Sequence, residues 1–278
     1  MTATTADPTT GPAAQRWGLP PLPGGTITRV PFHRLVAVEH RKLVDTRAGR
    51  GLAVVIAVLT VLSLTGALVV AAQTDLDLGL RLLLQVATVP TALLLPVLGI
   101  LSVTGEWSQR THMVTFALEP RRARVVAAKL VTGVVVATLV TLVVMALAAL
   151  AHLVESGPLG GPTDWSLPLA AAAGHLAVQV LGLLTGFAFG MLLLSTPAAI
   201  VVYVAFAYLL PTLLTALGAV VPSAADVIVW FDLTAAQTLL AEGTMTARGW
   251  LQLATSGALW FLLPLGLGLA RVLRADVK

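Results

Sequence analysis

The sequence predicts an all-α, polytopic integral membrane protein with six transmembrane helices, both termini cytoplasmic, and amphipathic helices at the membrane interface. Three observations carry this. First, hydrophobic residues fill 57% of the 278 positions and charged residues only 11%, where a soluble domain carries about 25% charged residues. A soluble fold of this size cannot hide so much apolar surface. Second, six apolar runs reach the roughly 20 residues needed to cross a hydrocarbon core about 30 Å thick. Third, of the 17 Lys and Arg residues, all but Arg81 and Arg248 fall on one side of the spans. That asymmetry puts the basic side, and with it both termini, in the cytoplasm. An even number of spans agrees.

The elements follow in order. Residues 1–28, rich in Pro, Gly and Thr and without an apolar core region, read as a disordered tail rather than a signal peptide. The rest, 29–278, forms one membrane domain. Residues 29–50 place Phe32, Leu35, Val36 and Leu43 on one face of a helix, with Arg34, Arg41 and Asp45 opposite, as expected of a helix in the interface plane. Glu39 falls on the apolar face, where it pairs with Lys42 or Arg50 or meets a partner. Spans are expected at 51–72, 82–103, 125–154, 169–194, 198–221 and 250–269. Only Ser195, Thr196 and Pro197 separate spans four and five, and Pro197 suits the first turn of a new helix. The outer loop 222–249 contains the apolar stretch VIVWFDLTAAQTLLAEG, too short to cross and return fully, so short dipping helices are expected.

The loop 105–124 lies between spans two and three on the basic side. On a helical wheel Trp107, Thr111, Val114 and Leu118 share a face that rests on the bundle or the lipid. Glu106, Gln109, Met113 and Phe116 point roughly the other way and suit a docking surface for a soluble partner. Pro120 ends the helix, Arg121, Arg122 and Arg124 sit at the phosphate level, and Lys129 lies one turn deeper, able to snorkel back.

The absences narrow the chemistry. Without cysteine there is no disulfide, thiolate metal site or Cys nucleophile. There is no G-x-x-x-x-G-K-[ST] run, HExxH or GxSxG, so neither catalytic nor metal-binding residues are expected, and any ATP energy comes from another chain. No Asp, Glu, Lys or Arg lies at mid-depth in a span, which argues against an ion-coupled carrier. The net charge of +4 reflects topology, so no nucleic-acid partner is expected. His152 and His175, near the outer ends of spans three and four, leave a His-dependent membrane enzyme or electron-transfer subunit as one alternative. A membrane scaffold or regulator that recruits a cytoplasmic partner is another.

Within the spans, Gly182, Gly186 and Gly190 share one face and allow close helix packing, within the chain or between copies. Pro90 and Pro96 in span two and Pro211 in span five favour kinks. Gln85, Thr88 and Thr91 occupy about a third of the circumference of span two, and Tyr208, Thr212 and Thr215 one face of span five. Each Thr can equally bond its own helix carbonyls.

Two segments carry a family resemblance: E-x-x-K-L at Glu39, Lys42 and Leu43, and GEW…T…LEPRRARVVAAK from Gly105 to Lys129. Together they resemble the membrane subunit of type-2 ABC exporters, the ABC-2 type permeases. The order and topology of residues 29–278 fit, while the specific motifs occupy about 40 residues. The chain keeps Glu106, Thr111, Pro120, Arg121, Arg124 and Lys129 and departs at Arg110, where the family usually has Gly. The resemblance implies a permease in a bacterial plasma membrane, working as a homodimer or heterodimer with a second permease. It implies a cytoplasmic ABC ATPase that holds the ATP and Mg and docks on the coupling helix through Glu106, Gln109, Met113, Phe116, Arg121 and Arg124, with Glu39 and Lys42 as a secondary contact. It also implies that Gln85, Thr88, Thr91, Tyr208, Thr212 and Thr215 line the path of a small amphipathic substrate, and that short re-entrant helices in 222–249 cap its outer exit.

Overall fold

The computed structural model describes residues 30–74, 76–109 and 121–274. The chain divides after Pro31, and every element below belongs to the unit that begins at Phe32. Among the described residues all regular structure is helical.

Among the described residues six helices are long and apolar enough to cross a membrane: Arg47–Thr74, Gly79–Ser108, Arg122–Ser156, Leu169–Leu193, Thr196–Val220 and Ala247–Arg274. They are spans one to six of a multi-pass membrane protein. The helix Phe32–Asp45 precedes them. Spans two and four form the centre, with 56% and 50% of their apolar windows buried, against 6% for span five. The centre is tight because small residues let two backbones meet. A Cβ at Gly186 would overlap the Pro96 carbonyl of span two, and one at Gly99 the Leu183 carbonyl of span four. Gly182 and Gly190 also face span two, at Pro96 and Ile100. The glycine stripe therefore packs within the chain.

Two features differ from the reading of the sequence. Span two runs unbroken past Pro90 and Pro96 to Ser108, so Gly105–Ser108 is its last turn rather than the start of a separate helix. The rest of the expected coupling helix, 110–120, lies outside the described residues. Part of the apolar face of the helix Phe32–Asp45 packs on protein: Leu43 joins a cluster with Ile56, Leu95 and Val136, and the Val36 carbonyl accepts from Thr132 Oγ1 of span three at 3.3 Å, while Phe32 stays 40% exposed.

Spans five and six are each widened by one π turn, at Ala205–Leu209 and Ala258–Leu262. Each π turn ends two residues before a proline, Pro211 and Pro264. A proline offers no N–H and crowds the carbonyl four residues back, and wider winding relieves both. The two π turns meet through Phe206 and Trp260, whose ring centres are 4.9 Å apart, and Phe189 and Tyr203 complete the aromatic cluster.

The outer segment holds two short helices, Pro222–Ile228 and Leu233–Glu242, bent 69° from one another. The first runs down beside span six. Asp226 accepts from Arg248, the Trp230 carbonyl from Thr255, and the Phe231 carbonyl from Trp260 Nε1 at 2.8 Å. From residue 248 to 260 a helix rises on the order of 15 Å, so the bend lies well below the outer end of span six. The second helix returns to span four, where a Cβ at Gly174 would overlap the Leu240 carbonyl. Asp232 caps its start by accepting from the Ala235 N–H.

Candidate functional site

On the helix Phe32–Asp45, Glu39 faces inward and Lys42 follows it by three residues on the same side. Glu106 lies in the last turn of span two, and Lys129 about two turns into span three. These four residues form one closed ring of alternating charge. Lys42 Nζ is 2.8 Å from Glu39 Oε1 and 2.8 Å from Glu106 Oε1. Lys129 Nζ is 2.5 Å from Glu39 Oε2 and 3.0 Å from Glu106 Oε1. Each ammonium thus bridges both carboxylates.

The ring is largely withdrawn from solvent: the side chains of Glu39, Lys129 and Glu106 are 7%, 9% and 15% exposed, and that of Lys42 is 38% exposed. Moving ions out of water is costly, and the cost is recovered only where opposite charges and hydrogen bonds saturate them. Here two cations meet two anions, and Lys129 also donates to the Ser102 carbonyl at 3.2 Å. Burial acts to lower the Lys42 pKa, but the hydrogen bonds and charges of Glu106 and Glu39 outweigh it and raise the ammonium above its ordinary value. A small pocket of about 20 Å³ borders Glu106 and Lys129 and is also lined by Trp107, Phe187 and Met191.

Arginines fasten the same end of the bundle. Arg122 donates to the Val272 carbonyl at 2.7 Å, and Arg271 to the Leu192 carbonyl at 2.6 Å. Both carbonyls sit at helix C-termini, where free C=O groups and the helix dipole favour a cation. Thr196 at the start of span five donates to Thr104 of span two at 2.7 Å.

The residues singled out in the sequence divide as follows. Glu39, Lys42 and Glu106 come together, and Glu106 directs its carboxylate into the ring rather than away from the bundle. Gln109 and Arg121 are exposed, and Arg124 is half-buried. Met113 and Phe116 lie outside the described residues. Thr88 and Thr91 are buried and joined to span four: Gln179 Nε2 donates to the Thr88 carbonyl at 3.1 Å and to Thr91 Oγ1 at 2.5 Å. Gln85, Tyr208, Thr212 and Thr215 are exposed on the outside of the chain, with Thr212 bonded to its own helix at the Tyr208 carbonyl. A single chain therefore does not enclose these six residues in one channel.

His152 and His175 each have a local partner. His152 Nδ1 lies 3.1 Å from Glu155 Oε2, while the other oxygen of Glu155 accepts from the Leu78 and Gly79 N–H groups at the start of span two. His175 Nδ1 lies 3.1 Å from the Ala171 carbonyl. Among the described residues no group of three or more His, Asp or Glu could hold a metal ion.

The sequence reading missed Lys129 as a ring member, Gln179 as the bridge between spans two and four, and the paired π turns. Pro264, two residues beyond the second π turn, is a visible signal for the last. No family model matches the chain, and no curated protein matches it.

Proposed function

We propose that this chain is the permease half of an ATP-driven exporter of the ABC-2 type, moving a small amphipathic substrate across a bacterial plasma membrane. The observation that carries the reading is the ring Glu39–Lys42–Glu106–Lys129. It ties the helix Phe32–Asp45 to the exit of span two and the entry of span three, the two ends of the loop that the family resemblance assigns to ATPase docking. A force applied to that loop by a cytoplasmic partner reaches three elements at once. Packed cores and paired charges transmit displacement rather than absorb it.

The exposed polar side chains of Gln85, Tyr208, Thr212 and Thr215 fit this reading if a second permease completes the path. Span five is the least covered of the six, and polar groups facing lipid carry a cost that a partner removes. ATP and Mg belong to the partner ATPase, since this chain has no phosphate-cradling loop.

Affinity purification of the tagged chain from its native membrane in mild detergent tests the reading, with mass spectrometry and ATP hydrolysis as readouts. A stoichiometric Walker-type ATPase supports it. An eluate without one, even after cross-linking in the intact membrane, contradicts it and favours a membrane scaffold.

A further inference from the structure

The outer end of span three holds a buried titratable pair that the proposed function does not use. His152 is fully buried and Glu155 nearly so. One carboxylate oxygen of Glu155 accepts from the Leu78 and Gly79 N–H groups, at 2.7 Å and 3.2 Å, and so caps the start of span two. The other oxygen lies 3.1 Å from His152 Nδ1. With the carboxylate as acceptor, Nδ1 carries the hydrogen and the lone pair falls to Nε2. That second nitrogen is buried and has no hydrogen-bond partner, whereas buried polar atoms are nearly always paired.

The loop 157–168 straps the pair. The Gly161 N–H donates to the Glu155 carbonyl at 2.8 Å, and a Cβ at Gly161 would overlap Glu155 Cγ. The rings of Trp165 and His152 meet at 69° with their centres 4.7 Å apart. Leu167 packs on the cluster of Leu64, Leu83 and Ala148. The strap carries one charged residue, Asp164, which is exposed. It accepts from the Ser166 hydroxyl at 2.7 Å and the Ser166 N–H at 2.8 Å. These bonds hold its carboxyl below the ordinary carboxylate range, and positive charge on His152 acts in the same direction. Asp164 therefore stays ionised in mild acid, where histidine gains its charge.

Other charges around the pair are few. Span one has none from Gly51 to Thr74. Asp77 and Arg81 flank the start of span two and are exposed, and Asp75 lies outside the described residues. On span four, His175 is bonded to the Ala171 carbonyl.

We propose that His152 and Glu155 form a proton-binding site open to the outer compartment, and that a proton taken up on Nε2 closes the strap through Asp164. The proton comes from outer water, the Nδ1 hydrogen stays on Glu155, and no other bond changes. With His152 neutral, the pair buries one net negative charge. With His152 protonated, the pair is an imidazolium and a carboxylate without net charge, which costs less to bury. Nε2 then becomes a donor in need of an acceptor, and Asp164 is the one carboxylate on the strap. Loss of the proton removes that attraction and loosens the strap. The site needs only the outer end of the bundle and holds whether or not an ATPase drives the chain.

Hydrogen exchange of the full chain in mild detergent at about pH 8 and about pH 5, the range over which histidine changes charge, tests the proposal, with exchange times scaled for the intrinsic rate. Exchange in 157–167 is expected to slow about tenfold in acid, the factor that one hydrogen bond to a charged group supplies, while the middles of spans two and four do not change. His152→Gln keeps a donor for Glu155 but takes up no proton, and is expected to abolish the difference. Asp164→Asn keeps an acceptor for the Ser166 N–H, sits on an exposed position that folding does not depend on, and is expected to lose most of the difference. Equal or faster exchange of 157–167 in acid for the wild type would overturn the site. So would the full tenfold slowing in a folded His152→Gln chain or in Asp164→Asn.

Discussion

Lys129 Nζ lies 2.5 Å from Glu39 Oε2, joining the helix before the first span to the third span across 90 residues of chain. Both side chains are almost fully buried, so neither can lose its partner and remain solvated. Removing one partner of a buried pair typically costs about 3–5 kcal/mol, because an uncompensated charge remains. Lys129→Met and Glu39→Gln are each expected to lower the thermal midpoint of the detergent-solubilised chain strongly. Lys129→Arg, which keeps the charge between the two carboxylates, is expected to retain a large part. Equal midpoints for Lys129→Met, Glu39→Gln and the wild type would remove the ring from the stability of the fold.

Alkaline pH should open the exposed corner of the ring. Pairing raises the Lys42 pKa above 10.5, so its stabilisation is fully present below 10.5 and is lost as pH rises through the higher folded-state value. The difference in thermal midpoint between wild type and Lys42→Met is expected to stay constant below about pH 10 and to shrink above it. A difference that grows with pH would contradict the sign.

The contact between spans two and four makes a sharp contrast between glycines. Gly186→Ala places a methyl on the Pro96 carbonyl and is expected to destabilise the chain by about 1–3 kcal/mol, the usual range for overpacking. Gly51 has open space around its Cβ position, and Gly51→Ala in the same background is expected to be neutral or stabilising by up to about 1 kcal/mol. Thermal unfolding of the two variants side by side decides it.

Trp260 holds the bend of the outer helix pair through its bond to the Phe231 carbonyl. Trp260→Phe keeps a ring against Phe206 and removes that bond, which is worth about 0.5–1.5 kcal/mol. Hydrogen exchange should speed up in 226–241 while exchange in spans two and four is unchanged. Uniform acceleration would mean that the bond supports the whole fold rather than the bend.

The spans were legible because a bilayer demands long apolar runs and the basic residues gather on one side. Span four, expected at 169–194, is Leu169–Leu193. The ring was only half legible. Glu39 stood out as the one acid on an apolar face, and Lys42 was its natural neighbour. Lys129 read as a lysine reaching for the headgroups, because nothing local says that the helix Phe32–Asp45 lies against span three. Glu106 was assigned an outward direction from a helix starting at Gly105. Its true phase is set by span two, which continues through it. Gln179, Thr88 and Thr91 show the same limit: each looks like an isolated polar residue until the glycine-mediated approach of spans two and four brings them together.

In the proposed function the ring couples the cytoplasmic loop of this chain to an ATPase partner. Purification of the tagged chain from its native membrane, with associated ATP hydrolysis measured for wild type, Lys129→Glu and Lys129→Arg, tests it most directly. The expected result is a stoichiometric ATPase with the wild type, lost or uncoupled with Lys129→Glu and kept with Lys129→Arg. An ATPase that stays bound and equally active with Lys129→Glu in a folded chain, or the lack of any ATPase after cross-linking, would contradict it.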